Sequence, residues 1–189
     1  LCGLAIAERV FVRVDPQVKV TALARDGERI RSGARVLRVD GPTASLLTAE
    51  RVSLNLIQRM CGIATATRRY VDAIPTGSKT RITDTRKTTP GLRLLERYAV
   101  RRGGGHNHRN DLGSAVLIKD NHIVAAGGVK QAITAAKARA PHTSKIECEI
   151  DSLDQLEEAL TAGADIILLD NMDTATTAEA VKRTRGRAL

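Results

Sequence analysis

Charged side chains stand at or near the carboxyl ends of four segments that the sequence predicts to be strands. They are Arg86-Lys87, Lys119-Asp120, the pair Glu147 and Glu149, and Asp170-Asn171. In parallel α/β barrels the working residues sit at this end of the strands. A charged end on one predicted strand is no evidence of a site, but charged ends on four predicted strands of one chain indicate a functional site.

Five basic side chains belong to this predicted site: Arg86, Lys87, His108, Arg109 and Lys119. Arginine grips planar carboxylates through paired hydrogen bonds, whereas lysine acts as a point charge on phosphate. Because these charges repel one another in an empty pocket, the set predicts a substrate with several negative charges. The glycines at 103–105 let the backbone approach a ligand closely. Residues 106–108 also contain a histidine pair, but without a third ligand an anion site is favoured over zinc.

Residues 145–150 alternate charged and apolar side chains, so Glu147 and Glu149 share one face of a strand. Buried carboxylates are costly unless cations, a metal or hydroxyl donors meet them. Lys119 and a bound Mg²⁺ are therefore the predicted partners. The alternative is that both carboxylates lie on a solvated edge strand.

The elements behind these residues predict an α/β fold. From residue 79 onward strands and helices alternate: strands at 82–86, 115–120, 145–150 and 165–170, and helices at 91–101, 129–140, 152–163 and 173–184. A capping box formed by Ser152 and Gln155 is predicted to open the helix at 152–163. Before residue 79 the sequence predicts strands at 9–14 and 34–39 and a helix over 48–72 with Thr48 as its N-cap. Alternating βα units imply a parallel sheet, and about four units are too few for an eight-fold barrel.

Composition narrows the partner classes. The chain has 30 Lys and Arg against 21 Asp and Glu, a net charge of +9, which favours an anionic partner. Only Phe11, Tyr70 and Tyr98 are aromatic, so there is no stacking platform for nucleic acid. No apolar run is long enough to cross a membrane. Three widely spaced cysteines fit neither a disulfide framework nor a zinc site and favour a reducing, cytoplasmic location.

At the level of motifs, the chain resembles the quinolinate phosphoribosyltransferases. The resemblance rests on residues 49–55 and 62–65, DTRKTTPG at 84–91, GGHNHR at 104–109, LIKDNH at 117–122, and the segments 147–149 and 168–171. That family makes nicotinate mononucleotide, CO₂ and pyrophosphate from quinolinate and phosphoribosyl pyrophosphate, with Mg²⁺, in NAD biosynthesis. The resemblance implies part of an open α/β sandwich at 1–78, including the long helix, and an incomplete parallel α/β barrel at 79–189. It also implies a cytoplasmic homodimer, or a higher even oligomer, with shared active sites.

The resemblance also implies roles for individual residues. It assigns the carboxylates of quinolinate to Arg86, His108, Arg109 and Lys119. It assigns the ribose hydroxyls, directly or through Mg²⁺, to Glu149 and Asp170, and these two with Lys119 are the predicted catalytic residues.

Three further residues complete the predicted site. Lys87 is expected to reach the pyrophosphate, and Thr85 to add a hydroxyl or backbone contact. Arg51 is expected to join the carboxylate site from the neighbouring subunit. Without the resemblance, an isolated arginine on a helix is more often a solvated surface charge.

The chain departs from the family pattern in a few places. Cys61 stands where the family more often has Ser, and Gly113-Ser114 replaces a Ser-Asp pair. An N-terminal segment and the last barrel strands, with their phosphate-binding loops, are expected to be absent, so weak binding of the sugar donor is expected.

Three other interpretations of the function stay open. They are a pyrophosphorylase-like paralogue of molybdate gene clusters, a basic nucleic-acid-binding module, and an inactive fragment kept within an assembly.

Overall fold

A computed structural model describes all 189 residues, which divide into two compact units, Leu1–His108 and Arg109–Leu189. The predicted α/β class is confirmed, because helices accompany an antiparallel strand pair in the first unit and a parallel sheet in the second. The predicted domain boundary after residue 78 falls inside the first unit and stays a prediction. None of the helices combines the length and the apolarity needed to cross a bilayer.

The first unit is mainly helical. Its elements are α1 (Leu4–Val14), β1 (Lys19–Ala22), β2 (Leu37–Asp40), α2 (Thr43–Asp72) and α3 (Arg93–Arg102). The long helix α2 packs against both α1 and α3. Cys2, Met60, Ala64 and Ala99 are buried where these helices meet. A second small core, around Phe11, Val18 and Ala49, lies beside the β1–β2 pair.

The predicted strand at 9–14 is wrong, because these residues are the second half of helix α1. Leu4, Ala7 and Phe11 are the buried residues of that helix, at a spacing typical of one helix face. The alternating valines of 9–14 favour a strand locally, but this apolar stripe packs on α2 and decides the structure. The strand predicted at 34–39 is β2, shifted to 37–40, and it pairs with β1, where no strand was predicted.

Helix α2 begins five residues earlier than predicted. Its first residue is Thr43, preceded by Pro42, whose ring fixes φ near the helical value. Thr48 is therefore not the N-cap; its hydroxyl donates to the carbonyl of Ala44 inside the helix. Proline is tolerated at this end of a helix, because the first turn has no intrahelical partner for the missing N–H.

The second unit is a parallel βα array. Its elements are β3 (Val116–Ile118), α4 (Asp120–Ala126), α5 (Val129–Arg139), β4 (Ile146–Ile150), α6 (Leu153–Thr161), β5 (Ile166–Leu169) and α7 (Thr174–Thr184). The sheet order is β3-β4-β5, with all pairs parallel. The predicted cap of α6 is present, since the Ser152 side chain accepts from the N–H of Gln155. Helix α4 was not predicted.

The core of the second unit lies on one face of the sheet. Ile146, Cys148 and Ile150 point into it together with Ile133 and Leu156, and all five are almost fully buried. This is the apolar face expected from the alternation at 145–150. Strand β4 is the central strand, so the alternative of a solvated edge strand is excluded.

Candidate active site

Three of the predicted site residues lie at the carboxyl ends of the three parallel strands. Lys119 directly follows β3, Glu149 is the fourth residue of β4, and Asp170 directly follows β5. The register pairs Ile118 with Cys148 and Ile150 with Leu169, and the N–H of Asp170 donates to the carbonyl of Ile150 at 2.9 Å. The ladder therefore brings all three side chains to one edge of the sheet, as predicted.

Lys119 and Glu149 form the ion pair at the centre of this edge. The Nζ of Lys119 lies 2.8 Å from Oε2 of Glu149, with 45% of the lysine side chain exposed but only 14% of the glutamate. The main-chain N–H of Lys119 donates to Nδ1 of His122, which holds the lysine at the start of α4. The ammonium is thus partly exposed to solvent, while its carboxylate partner is largely enclosed.

Glu147 lies one position deeper on the same strand face and is only 4% exposed. It has an interaction partner of its own, so it belongs to the polar interior of this face. Between the two glutamates, Cys148 points the other way into the core. Burial, with a contribution from the Glu149 carboxylate, raises the pKa of the Cys148 thiol to about 11. The thiol is therefore a packing group without nucleophilic character at neutral pH.

Glu149 and Asp170 supply oxygen donors of the kind that Mg²⁺ takes in proteins. No group of three or more His, Cys, Asp or Glu side chains is arranged as a metal cage. Mg²⁺ is typically held by one or two carboxylates together with water and substrate phosphate oxygens. Glu149 and Asp170, on adjacent strand ends, match that donor set.

The first unit holds Thr85, Arg86 and Lys87 on the loop that links residue 84 to α3. The N–H of Lys87 donates to Oγ1 of Thr85. Arg93 clamps the loop, because its guanidinium donates to the Arg86 carbonyl at 3.3 Å and to Oγ1 of Thr88 at 3.1 Å. The Nε atom of Arg86 is buried without a hydrogen-bond partner.

A second clamp holds the far end of the same loop. The guanidinium of Arg59, on α2, donates to the Glu96 carboxylate on α3 and to the hydroxyl of Thr89. The N–H of Thr89 also donates to Glu96. Burial raises the pKa of Glu96, but the hydrogen bonds from Arg59 and Thr89 outweigh it, so the pKa is lowered overall. The carboxylate stays ionised and ties the loop to both helices.

Two arginines of the candidate site remain to be placed. Arg51 is exposed on α2. In the second unit, Arg109 is half-buried and donates to the carbonyl of Ala115 at 3.2 Å, across the loop that precedes β3. Its guanidinium is thus already held in one orientation.

Comparison with known proteins places this geometry in a family. The family models for the C-terminal and N-terminal domains of quinolinate phosphoribosyl transferase match residues 63–189 and 1–61. The chain belongs to the quinolinate phosphoribosyltransferase family. The relative "Probable nicotinate-nucleotide pyrophosphorylase (carboxylating)" of a Synechocystis species is 46% identical over 98% of this chain and 62% of that protein.

Other members of the family agree in sequence and in structure. The human "Nicotinate-nucleotide pyrophosphorylase (carboxylating)" is 44% identical over 90% of this chain and 57% of that protein. The crystal structure of NadC from Streptococcus pyogenes superposes with a TM-score of 0.90 at 47% identity, over all of this chain and 66% of that one. The chain thus spans about three-fifths of the length of the curated relatives it matches.

Within this family member, six of the nine predicted site residues fall into two sets, one in each unit. Lys119, Glu149 and Asp170 converge in the second unit. In the first unit Thr85, Arg86 and Lys87 share one clamped loop. The residues that clamp this loop, Arg59, Arg93 and Glu96, were not found from the sequence, because the fold alone brings them to the loop.

One predicted strand in the first unit needs correction. Residues 82–86 form only a single parallel bridge, between Thr83 and His106. The N–H of His106 donates to the Ile82 carbonyl, and the N–H of Asp84 donates to the His106 carbonyl. The next ladder donor, the N–H of His108, bonds to the Asp84 side chain instead of its carbonyl. The carboxylate therefore ends the ladder and frees residues 85–87 to form a loop.

Proposed function

We propose that this chain binds quinolinate and acts as a quinolinate phosphoribosyltransferase, with phosphoribosyl pyrophosphate as the sugar donor. The products would be nicotinate mononucleotide, CO₂ and pyrophosphate. The observation that carries the proposal is the convergence of Lys119, Glu149 and Asp170 at one sheet edge in a chain of this family. The other predicted ligands support it, because quinolinate is a dianion and the donor a polyanion.

The cationic residues provide the recognition chemistry. Arg86, His108, Arg109 and Lys119 would hold the two carboxylates of quinolinate, and Lys87 would reach the pyrophosphate. The buried, unpartnered Nε of Arg86 supports this role, since an unpaired buried donor costs about 1–3 kcal/mol and a ligand carboxylate would satisfy it.

The carboxylates provide the chemistry at the ribose. Glu149 and Asp170 would bind the ribose hydroxyls, directly or through Mg²⁺, which would neutralise the leaving pyrophosphate. The quinolinate nitrogen forms a bond to C1′ as the bond to pyrophosphate breaks. Carboxylates beside the ribose stabilise the positive charge that develops there. Carbon dioxide then leaves from the carbon beside the cationic nitrogen, and a proton from water replaces it.

The assembly proposed for the chain is a homodimer or higher even oligomer of a cytoplasmic enzyme. The exposed position of Arg51 on α2 supports its proposed contribution to a neighbouring subunit's site. Thr85 would add a hydroxyl or backbone contact beside Lys87.

Calorimetric titration of quinolinate tests the proposal. We expect saturable binding that weakens at least tenfold in Arg109→Ala, because one charge-assisted hydrogen bond contributes about 1.5–3 kcal/mol. Arg109→Lys keeps the charge but loses the paired geometry and should fall between the two. Arg139→Ala, an exposed arginine on α5, is the matched control and should bind as the wild-type chain does.

Ligand choice separates the other interpretations. Nicotinate has one carboxylate fewer and should bind at least tenfold more weakly than quinolinate. Binding of another dianion but not quinolinate would favour the paralogue. Affinity for DNA or RNA that falls steeply with salt would favour the nucleic-acid module. A folded chain that binds none of these ligands would contradict the proposal.

A further inference from the structure

Asp84 lies immediately before the loop that carries Thr85, Arg86 and Lys87, and its carboxylate is almost completely enclosed. Its side chain is 6% exposed, and that of its partner Arg97, on α3, is 13% exposed. Asp84 was noted only as the first residue of the motif at 84–91, and neither residue was given a role from the sequence. A buried ion pair is weak evidence for stability, because the cost of desolvating both charges opposes their attraction. Such a pair is favourable only where further hydrogen bonds satisfy both charged groups.

The carboxylate of Asp84 is surrounded by three donors. Oδ1 accepts the main-chain N–H of His108 at 2.7 Å, and Oδ2 accepts Nδ2 of Asn107 at 2.5 Å. The guanidinium of Arg97 lies 3.3 Å from Oδ2. The Nδ2 of Asn107 also donates to the main-chain carbonyl of Arg97 at 3.0 Å, which links the three residues into one closed network.

This network holds both peptide groups of His108. Asp84 accepts the N–H of His108, while Arg97 donates to its carbonyl at 3.0 Å. The preceding residue, Asn107, is held through its side chain. With these groups fixed, the main chain at His108 has little freedom, and the direction of its Cα–Cβ bond is set.

We propose that Asp84 is a positioning residue that acts through His108, with Arg97 completing the clamp. The assignment rests on the proposed function, in which His108 binds a carboxylate of quinolinate. Asp84 does not itself meet the substrate, because its two oxygens are engaged by His108, Asn107 and Arg97. Its contribution is to hold the imidazole where a dianion is to be bound and so to reduce the freedom lost on binding.

A double-mutant cycle on quinolinate affinity tests this assignment. Asp84→Asn keeps the shape but leaves one acceptor oxygen for three donors, and we expect quinolinate binding to weaken at least tenfold. His108→Ala should also weaken binding. If Asp84 acts through His108, adding Asp84→Asn to His108→Ala should produce less than a twofold further loss. An additive loss in the double variant would overturn the assignment.

A second variant covers the case in which Asp84→Asn does not fold. Arg97→Lys keeps the charge beside Asp84, but a single ammonium cannot span both that carboxylate and the His108 carbonyl. We expect a three- to tenfold loss of quinolinate affinity without loss of the folded state by circular dichroism. Asp72→Asn is the matched control: Asp72 also pairs with two arginines, Arg29 and Arg68, but on the exposed surface, and its removal should leave affinity unchanged.

Hydrogen exchange of the His108 amide, measured by NMR, separates failure of this proposal from failure of the proposed function. In Asp84→Asn, or in Arg97→Lys if the first variant is unfolded, this amide should exchange at least tenfold faster while amides within α2 stay unchanged. Absence of quinolinate binding by the wild-type chain would contradict the proposed function. The exchange rate of the His108 amide would then show, without any ligand, whether Asp84 and Arg97 hold the main chain at His108. Unchanged exchange at His108 would overturn it.

Discussion

Replacing either partner of the Lys119–Glu149 pair should destabilise the second unit, and Lys119→Met should do so more than Glu149→Gln. The asymmetry follows from exposure, which is 45% for the lysine side chain and 14% for the glutamate. Removing the lysine leaves an enclosed carboxylate without its cation. Removing the carboxylate leaves an ammonium that water can solvate.

The magnitudes follow from the same two exposures. Breaking a fully buried pair costs about 3–5 kcal/mol, whereas exposed pairs contribute about 0–1 kcal/mol. Because only the Glu149 carboxylate of the pair is enclosed, we expect Lys119→Met to lower the free energy of unfolding by about 2 kcal/mol, about midway between these limits. Glu149→Gln keeps an oxygen that accepts from Lys119, and its cost should be about 0.5–1 kcal/mol. The difference corresponds to about a tenfold change in the unfolding equilibrium constant.

Hydrogen exchange by mass spectrometry on peptides that contain β4 is the suitable assay, with urea unfolding by circular dichroism beside it. Tyrosine fluorescence would not serve, because both tyrosines, Tyr70 and Tyr98, lie in the first unit. Lys130→Met, on the exposed surface of α5, is the matched control and should stay within about 0.5 kcal/mol of wild type. A cost for Glu149→Gln equal to or above that for Lys119→Met would refute the reasoning.

Three further predictions concern packing, pH and thiol reactivity. Gly103→Ala should lower stability by about 1–3 kcal/mol, because its Cβ would lie 2.5 Å from the carbonyl oxygen of Ala64 in α2. Gly62→Ala, with open space around it, should raise stability by up to about 1 kcal/mol. Equal urea midpoints for the two variants would contradict this prediction. The lowered pKa of Glu96 means that its carboxylate stabilises the fold above its ordinary value of 4.5 and that this contribution is lost as the pH falls. Glu96→Gln should therefore lower the melting temperature more at pH 7 than at pH 3. An equal loss at both pH values would count against the ionised clamp. Cys148 is buried and its pKa is raised to about 11, so it should resist iodoacetamide at pH 8 in the native chain while the half-buried Cys61 reacts first. The reverse order in peptide mapping would show that the core of the second unit opens readily.

The sequence was informative wherever a local period or a flanking charge was decisive. The alternation at 145–150 correctly assigned the core face to Ile146, Cys148 and Ile150. Charge directly after an apolar run located Lys119 and Asp170 at strand ends, because parallel strands share one carboxyl edge. The cap at Ser152 is likewise a local signal, confirmed by its hydrogen bond.

Local signals failed where packing or a side chain changed the structure. The valines of 9–14 have the composition of a strand, yet they form a helix because the stripe from Leu4 to Phe11 packs on α2. The strand predicted at 82–86 is reduced to one bridge, because Asp84 accepts the N–H that would continue the ladder. Neither outcome depends on nearest neighbours in the sequence.

The sequence by itself therefore determined the α/β class, the family and the residue types of the candidate site, since all three depend on periodicity and on motifs within short segments. Only the tertiary structure decided which residues hold that site in place. Arg59 meets Glu96 across 37 positions of the chain, and Asp84 meets His108 across 24. Such contacts form between segments that chain folding brings together, and a buried carboxylate takes its partner from whichever donor the packing places within reach.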